Sequence, residues 1–469
     1  MMIYDCAIVG GGPAGMNAAI LLAEAGVRVV IMDRAARAGG QVYRSAADSV
    51  LPRPEALGLD YTEGVALITA FESCAATHIA AADVWHIGED GTILYSLNGT
   101  TRQLQAREIL LCPGAIERPM PIPGWTLPGV MTAGAAQVML KSDAVVAEKA
   151  IFAGSGPLLY LIVAQYLRLG VKVAGVIDTT PKANYLAALP GGAAALRSWP
   201  MLRKGLNLMR EISNSGVPVF KAATNLSVLG QIAATGLAFE CNGAQEIQAE
   251  TVFLHHGVIP HSNMSRSLGL EHLWNEAQQC WQVKTDSWGQ SSIPHIAVAG
   301  DGAGIIGADG AQCAGRLAAC NILYRLNVFS LNERDQRARK DQSKLIGMAP
   351  FRAFIDRLYQ PVEELRLPKD PETLVCRCEE QRLKDLRAGY EAGARDPNAL
   401  KSLTRCGMGP CQGRQCGPIV SSLLARWRQE PEEVVGYYRL RSPQRLLSLA
   451  EFSRFRYDDE TGTEAEVSG

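Results

Sequence analysis

The sequence has no surplus of charge: 46 Lys and Arg stand against 47 Asp and Glu, for a formal net charge of -1. That excludes the basic field nucleic acid requires and the polybasic patch that holds a protein to anionic lipid, and leaves small molecules and proteins as partners. No apolar stretch reaches the roughly 18 residues a membrane-spanning helix needs, so no span is expected. The start, MMIYDCAIVGGGPAG, lacks the basic and apolar stretches and small-residue cleavage site of a secretory leader. The expected location is the cytoplasm, where the twelve cysteines are free thiols or metal ligands rather than disulfides. No histidine follows His295, and no cysteine occurs in GGQVYRS (39–45) or between 151 and 240. A disulfide reductase built on nucleotide folds would carry its CxxC or CxxxxC pair in one of those places, so that chemistry is set aside.

What is present begins with nucleotide binding. The chain of 469 residues is long enough for two or three domains with cores that need no cross-links. IYDCAIV (3–9) is an apolar run suited to a buried parallel strand, and it ends on GGGPAG. Gly10, Gly12 and Gly15 then stand at GxGxxG spacing around Pro13 and Ala14. The first glycine allows the tight turn, the second admits a pyrophosphate and the third lets the following helix pack on the strand. VRVVIMD supplies the next strand, ending on Asp33, 18 residues past Gly15 (33 minus 15), where an acid meets the adenosine ribose, with Arg34 beside it. Gly39, Gly40 and Gln41 form a second glycine turn for a ligand that extends beyond its adenosine half. Far downstream, IPHIAVAGDGAG (293–304) resembles the second FAD fingerprint of two-dinucleotide-domain flavoproteins, in which the acid after Gly300, here Asp301, binds the ribityl chain. Together these make FAD the expected cofactor.

KAIFAGSGPLLYLIVAQYLRLGVKVAGVID (149–178) repeats strand, glycine turn, helix, strand and acid. Gly154, Gly156 and Asp178 mark a second nucleotide site, but the third glycine position holds Leu159, which is expected to push the helix off the strand and alter the pocket. NAD is therefore not expected there, and Asp178 would repel the 2'-phosphate of NADP. Between the two units, LLCPGAIERPMPIPGWTLPGVMTAGAAQ (110–137) has the Pro and Gly density of a crossover between domains and keeps a flavoprotein-like turn at Gly114. In LHHGVIPHSN, adjacent His255 and His256 would face opposite sides of a strand, so no catalytic base is assigned to them or to His261, and no catalytic residue is named.

The densest chemistry lies near the end. LVCRCEE places Cys376 and Cys378 as CxC, and after 27 residues (406 minus 378, less one) RCGMGPCQGRQC places Cys406 and Cys411 as CxxxxC. CxC is too tight for an ordinary zinc knuckle and no histidine is at hand, whereas two thiolates so spaced suit one edge of an iron-sulfur rhomb. Gly407, Gly409 and Gly413 would let backbone N–H groups approach the sulfides. Four ligands suffice for [2Fe-2S], leaving Cys416 spare. The other seven cysteines read as small core residues.

CRCEE with RCGMGPCQGRQCG resembles the [2Fe-2S] domain first known from bacterioferritin-associated ferredoxin (BFD-like). The order of FAD unit, ERPMPIPGWTLPGVMTAGAAQ, AGSGP, AVAGD and cysteine domain resembles the FAD-containing alpha subunits of bacterial heteromeric dehydrogenases: opine oxidases, D-hydroxyproline dehydrogenase and the B subunit of hydrogen cyanide synthase. The likeness spans about residues 3 to 445, and the four cysteines favour the opine and hydroxyproline branches. It implies an electron-transfer subunit whose substrate is oxidised in a beta subunit similar to D-amino-acid oxidases, with a small third subunit in some systems and a quinone as one acceptor. It also admits ATP, or FMN at a subunit interface, and a location peripheral to the inner membrane through the complex.

The expected fold class is α/β: a two-dinucleotide-binding-domain flavoprotein with a small α-rich BFD-like [2Fe-2S] domain at the C-terminal end. Residues 1–115 and 245–330 form a discontinuous FAD domain around an inserted Rossmann-like domain at 116–244. A charged helical linker with a solvated face occupies 331–369, the cysteine domain 370–430, and an extension 431–469 that ends in a disordered acidic tail, DDETGTEAEVSG.

Overall fold

A computed structural model describes residues 3–454 together with 456 and 457. The acidic tail expected to be disordered lies outside the described residues.

The apolar runs form the expected strands. β1 (Ile3–Val9), β2 (Val29–Met32), β3 (Thr77–Ile79) and β4 (Thr100–Leu111) lie in the order β3-β2-β1-β4, all parallel, with β1 in register on β4 from Ile3 opposite Gln105 to Val9 opposite Leu111. β2 is buried along its whole length, as a parallel strand covered on both faces must be. The strand Ile296–Val298 returns from far downstream to pair in parallel with Ile109–Leu111 of β4, so Gly300 and Asp301 emerge at the same sheet end as the first glycine turn. The other half of β4 turns antiparallel and joins Thr92–Leu97 and Asp83–Ile87.

Helix α1 (Pro13–Glu24) starts directly from that turn, with Pro13 in its first position. Two close approaches set the turn: a side chain at Gly10 would meet the Cys112 carbonyl at 2.1 Å, and one at Gly15 would meet the Gly10 carbonyl at 2.0 Å.

The inserted unit is a separate parallel sheet. α2 (Ala133–Asp143) leads into β5 (Ala150–Ser155), α3 (Pro157–Arg168) and β6 (Val173–Asp178), and β7 (Val252–His256) completes its centre, in the order β6-β5-β7 with short strands at both edges. A three-stranded antiparallel sheet covers residues 224–248.

After α4 (Gly307–Arg325), the charged stretch forms α5 (Leu331–Leu358), opened by a capping box between Ser330 and Glu333. Its charges are not all solvated. Asp341 is buried and takes the Arg316 guanidinium of α4 at 2.9 Å, because α5 packs along α4 rather than standing off in water. Farther along, the α5 carbonyl of Leu358 accepts from Asn184 of the inserted unit at 3.2 Å, so one helix braces both nucleotide domains.

The C-terminal unit is small and mainly helical, its core formed by Leu386, Leu400, Ile419, Val420 and Leu424. Its longest helix, α6 (Cys416–Arg428), starts on a cysteine. The segment that follows folds back over the first sheet, where Ser442 bonds His86 at 2.8 Å and Arg445 pairs with Asp83 at 3.3 Å. Among the described residues no helix is long and apolar enough to cross a membrane.

Candidate functional site

The first cradle assembles as its spacing predicts. No side chain caps the start of α1, whose N-cap is Gly12, so the N–H groups of its first turn stay open toward an anionic ligand. Pro13, Ala14 and Gly15 are buried in that turn. Gly39 donates to the Gly11 carbonyl at 2.8 Å and Gly40 rests on Gly12, so the two glycine turns form one wall. Asp33 accepts from the Gly11 N–H and from the Ala35 N–H, the latter at 2.6 Å, and remains partly exposed at the edge of the cradle. Arg34 points to solvent and pairs with Asp83 at 3.6 Å. Gln41 has an exposed side chain, but its carbonyl is held by Lys141 of α2 at 3.1 Å, as is that of Val42 at 2.8 Å. Burial pulls the Lys141 ammonium down to about 7. Nothing in the sequence around this lysine marks it; only the approach of α2 to the loop reveals it.

At the other end of the cradle, Asp301 accepts from Ile306 N–H at 2.8 Å and Gly307 N–H at 2.9 Å through one oxygen, Oδ1. Its Oδ2 has no protein donor among the described residues, and burial raises its pKa above the usual carboxylate value. A half-buried carboxylate with one oxygen unspent fits a hydroxyl donor of a bound ligand. The Gly114 carbonyl accepts the His261 N–H at 3.0 Å, which sets the crossover turn beside this end.

The second site has the outline of the first and a different interior. Leu159 is fully buried in the core between α3 and its sheet. Asp178 is 1 % exposed, and both its oxygens are taken: Oδ2 by the Tyr160 hydroxyl at 2.6 Å and Oδ1 by the Thr180 N–H at 2.8 Å. Asp33 also has a donor on each oxygen but stays partly exposed, whereas Asp178 shows an arriving ribose almost no surface. Gly154 and Gly156 keep their positive φ angles, and His255 lies against both.

The adjacent histidines have separate partners. His255 Nδ1 bonds Glu117 Oε1 at 2.7 Å, while Glu117 Oε2 accepts the Gly134 N–H of α2 at 2.7 Å. His256 Nε2 accepts the Val362 N–H at 3.0 Å. Below them Arg118, 4 % exposed, holds the carbonyls of His256, Gln278 and Gln279 at 3.1, 2.6 and 2.7 Å and fastens the crossover to the body.

The cysteines form one nest with an unexpected membership. Cys376, Cys406 and Cys416 are buried, and their sulfurs all lie within 4.8 Å of one another. Cys378 is exposed and sits against Cys411, whose backbone N–H it accepts. Cys416, read from the sequence as spare, thus stands with Cys376 and Cys406, because α6 starts on it and turns its side chain into the core. Hydrogen bonds from Cys406 and Cys416, with the N–H groups of Gly407 and Glu379, hold Cys376 far below the usual thiol range, while the hydrogen bond that Cys406 donates to Cys376 pushes Cys406 up to about 12. Five thiols, three of them buried, with backbone donors aimed at sulfur and no carboxylate or imidazole among them, fit an iron-sulfur group by donor chemistry.

Residues 4–318 match the family model described as pyridine nucleotide-disulphide oxidoreductase. The chain belongs to that family. It is an α/β oxidoreductase, and the family supports FAD as its cofactor. The chain is 39 % identical to the A subunit of the opine oxidase of Rhizobium meliloti, over 96 % of this chain and 87 % of that one. It is 34 % identical to hydrogen cyanide synthase subunit HcnB of Pseudomonas aeruginosa, over 98 % and 99 %. Among solved structures, the fold matches L-proline dehydrogenase from P. horikoshii with a TM-score of 0.70 and 17 % identity, covering 96 % of this chain and 79 % of that one.

Proposed function

We propose that this chain is the FAD- and [2Fe-2S]-bearing electron-transfer subunit of a heteromeric dehydrogenase, and that the C–N bond of an opine or amino acid such as D-hydroxyproline is oxidised in a partner subunit. The observation that carries this is the short connection between cradle and cysteine nest. His261 bonds the Gly114 turn, and two residues on, Asn263 donates to the Gln412 carbonyl at 3.2 Å, next to Cys411. A flavin site and a thiol nest joined this closely suit electron transfer within one chain. The opine oxidase and hydrogen cyanide synthase relatives are both described as subunits, which supports a partner for this one.

Removal of two electrons and two protons from a CH–NH unit gives an imine that water hydrolyses. Bound FAD accepts electrons in pairs and a [2Fe-2S] cluster carries them singly, so the two groups together join a two-electron donor to a one-electron path. Within this chain, Gly12 and α1 would hold the pyrophosphate, Asp301 would orient the ribityl end, and the cysteine nest would supply four ligands. Cys378 and Cys411 would hold one iron, and Cys376 with either Cys406, as the spacing suggests, or Cys416 would hold the other. The burial of Asp178 argues against NADH as electron source. An anaerobic visible spectrum titrated first with NADH and then with dithionite tests the reading: dithionite alone is expected to bleach the flavin and cluster bands. Bleaching by NADH would make the chain a free-standing reductase instead.

A further inference from the structure

The cysteine nest has a polar neighbour that the motif does not contain. Tyr438 is 3 % exposed, and its hydroxyl lies 3.5 Å from Cys406 Sγ and 4.0 Å from Cys416 Sγ. Among the described residues, both groups found within hydrogen-bonding reach of this hydroxyl are sulfurs. The ring is held in place by bare backbone. A side chain at Gly407 would come within 2.8 Å of it and one at Gly413 likewise within 2.8 Å, and both glycines have positive φ, +93° and +76°. These glycines make room for an aromatic ring as well as for backbone donors. The segment carrying Tyr438 is pinned on each side: Ser421 of α6 donates to the Gly436 carbonyl at 2.7 Å, and the Arg439 N–H donates to Asn398 Oδ1 at 2.8 Å.

We propose that Tyr438 is a potential-setting residue: its hydroxyl donates a hydrogen bond to a ligand sulfur and raises the reduction potential of the cluster held by the cysteine nest. The proposal rests on the [2Fe-2S] reading above. A donor at a ligand sulfur draws electron density from the cluster and favours the reduced form, which carries one more negative charge. The hydroxyl reaches both Cys406 and Cys416, so it acts on whichever of them binds iron. Tyr438 touches no substrate; it acts through the thiolate.

The test is an anaerobic potentiometric titration of the full-length protein, followed by the visible bands and by the paramagnetic resonance of the reduced cluster. Tyr438→Phe keeps the ring and removes the donor. The expected result is unchanged iron and sulfide content with a midpoint lowered by about 59 mV, a tenfold change in the one-electron equilibrium. Tyr390→Phe is the control; its hydroxyl donates to the Trp427 carbonyl at 3.2 Å in the same unit, and its midpoint is expected to match the parent. Should Tyr438→Phe lose the cluster, a fluorinated tyrosine at position 438, a stronger donor with nearly the same shape, is expected to shift the midpoint upward. A cluster of unchanged midpoint in either Tyr438 variant overturns the proposal and leaves the cluster reading standing. A parent protein without iron and sulfide overturns both.

Discussion

Tyr160 donates its hydroxyl at 2.6 Å to Asp178, the buried acid that a second dinucleotide would need to reach. The tyrosine immediately follows Leu159 on α3, so the residue in place of the third glycine and the residue that holds the acid inside are neighbours in sequence. Tyr160→Phe leaves a buried carboxylate oxygen without its donor. It is expected to cost about 1–3 kcal/mol of stability in a denaturant titration. NADH is expected to produce no change in the flavin spectrum of the parent protein.

Asp301 spends Oδ1 on two backbone N–H groups and leaves Oδ2 without a protein donor. Asp301→Asn can keep the backbone bonds through its carbonyl oxygen while losing the second acceptor. The fold is expected to persist, and FAD affinity to drop about tenfold, or ~1.4 kcal/mol, as measured by flavin fluorescence on dilution. Gly10→Ala, which drives a methyl into the Cys112 carbonyl, is expected to yield protein without bound flavin.

The C-terminal unit holds five thiols, one more than the proposed [2Fe-2S] cluster needs. Cys376→Ser, Cys378→Ser and Cys411→Ser are each expected to abolish the iron-sulfur absorption. Of Cys406→Ser and Cys416→Ser, one is expected to retain it, since four ligands suffice. Loss in both, or retention in Cys378→Ser, would contradict the assignment of pairs.

His256 is 1 % exposed, and burial, aided by the nearby Arg118 charge, holds its pKa well below the ordinary value. Its Nε2 must stay unprotonated to accept from Val362. The unfolded chain therefore binds more protons than the folded one below about pH 6.5, and stability is expected to be full above that value and to fall as pH drops through and below it. Melting temperatures at pH 7.5, 6 and 5 check this. His256→Gln, which can still accept the Val362 N–H without a titrating ring, is expected to flatten the profile.

The glycine turns and the strand-helix-strand order around Asp33 were readable because each glycine answers a local steric demand that leaves a mark in the chain. The cysteine motif was readable as thiols gathered in one unit. Its membership was not: Cys416 follows Cys411 by five positions, as Cys411 follows Cys406, and only the start of α6 decides which sulfurs face each other. The roles of Lys141, Arg118 and Tyr438 depend on contacts across 100 residues (Lys141 to Gln41), 138 residues (Arg118 to His256) and 32 residues (Tyr438 to Cys406), and such contacts leave no periodicity. The solvated face expected of α5 was partly misread because Asp341 looks like any surface acid until Arg316 is set opposite it.

The cysteine unit is fastened to the rest of the chain on several sides. Asn263 holds the Gln412 carbonyl, Trp125 of the crossover donates to the Leu374 carbonyl at 2.7 Å, and the Arg266 guanidinium lies between the rings of Trp281 and Tyr437 at 4.9 and 4.0 Å. Such a unit does not swing on a tether. If the unit holds the proposed cluster, the gap an electron would cross from the flavin is set once, at folding, so the internal transfer rate is expected to be indifferent to solvent viscosity, and any slowing by glycerol would report on the meeting with the proposed partner or the final acceptor.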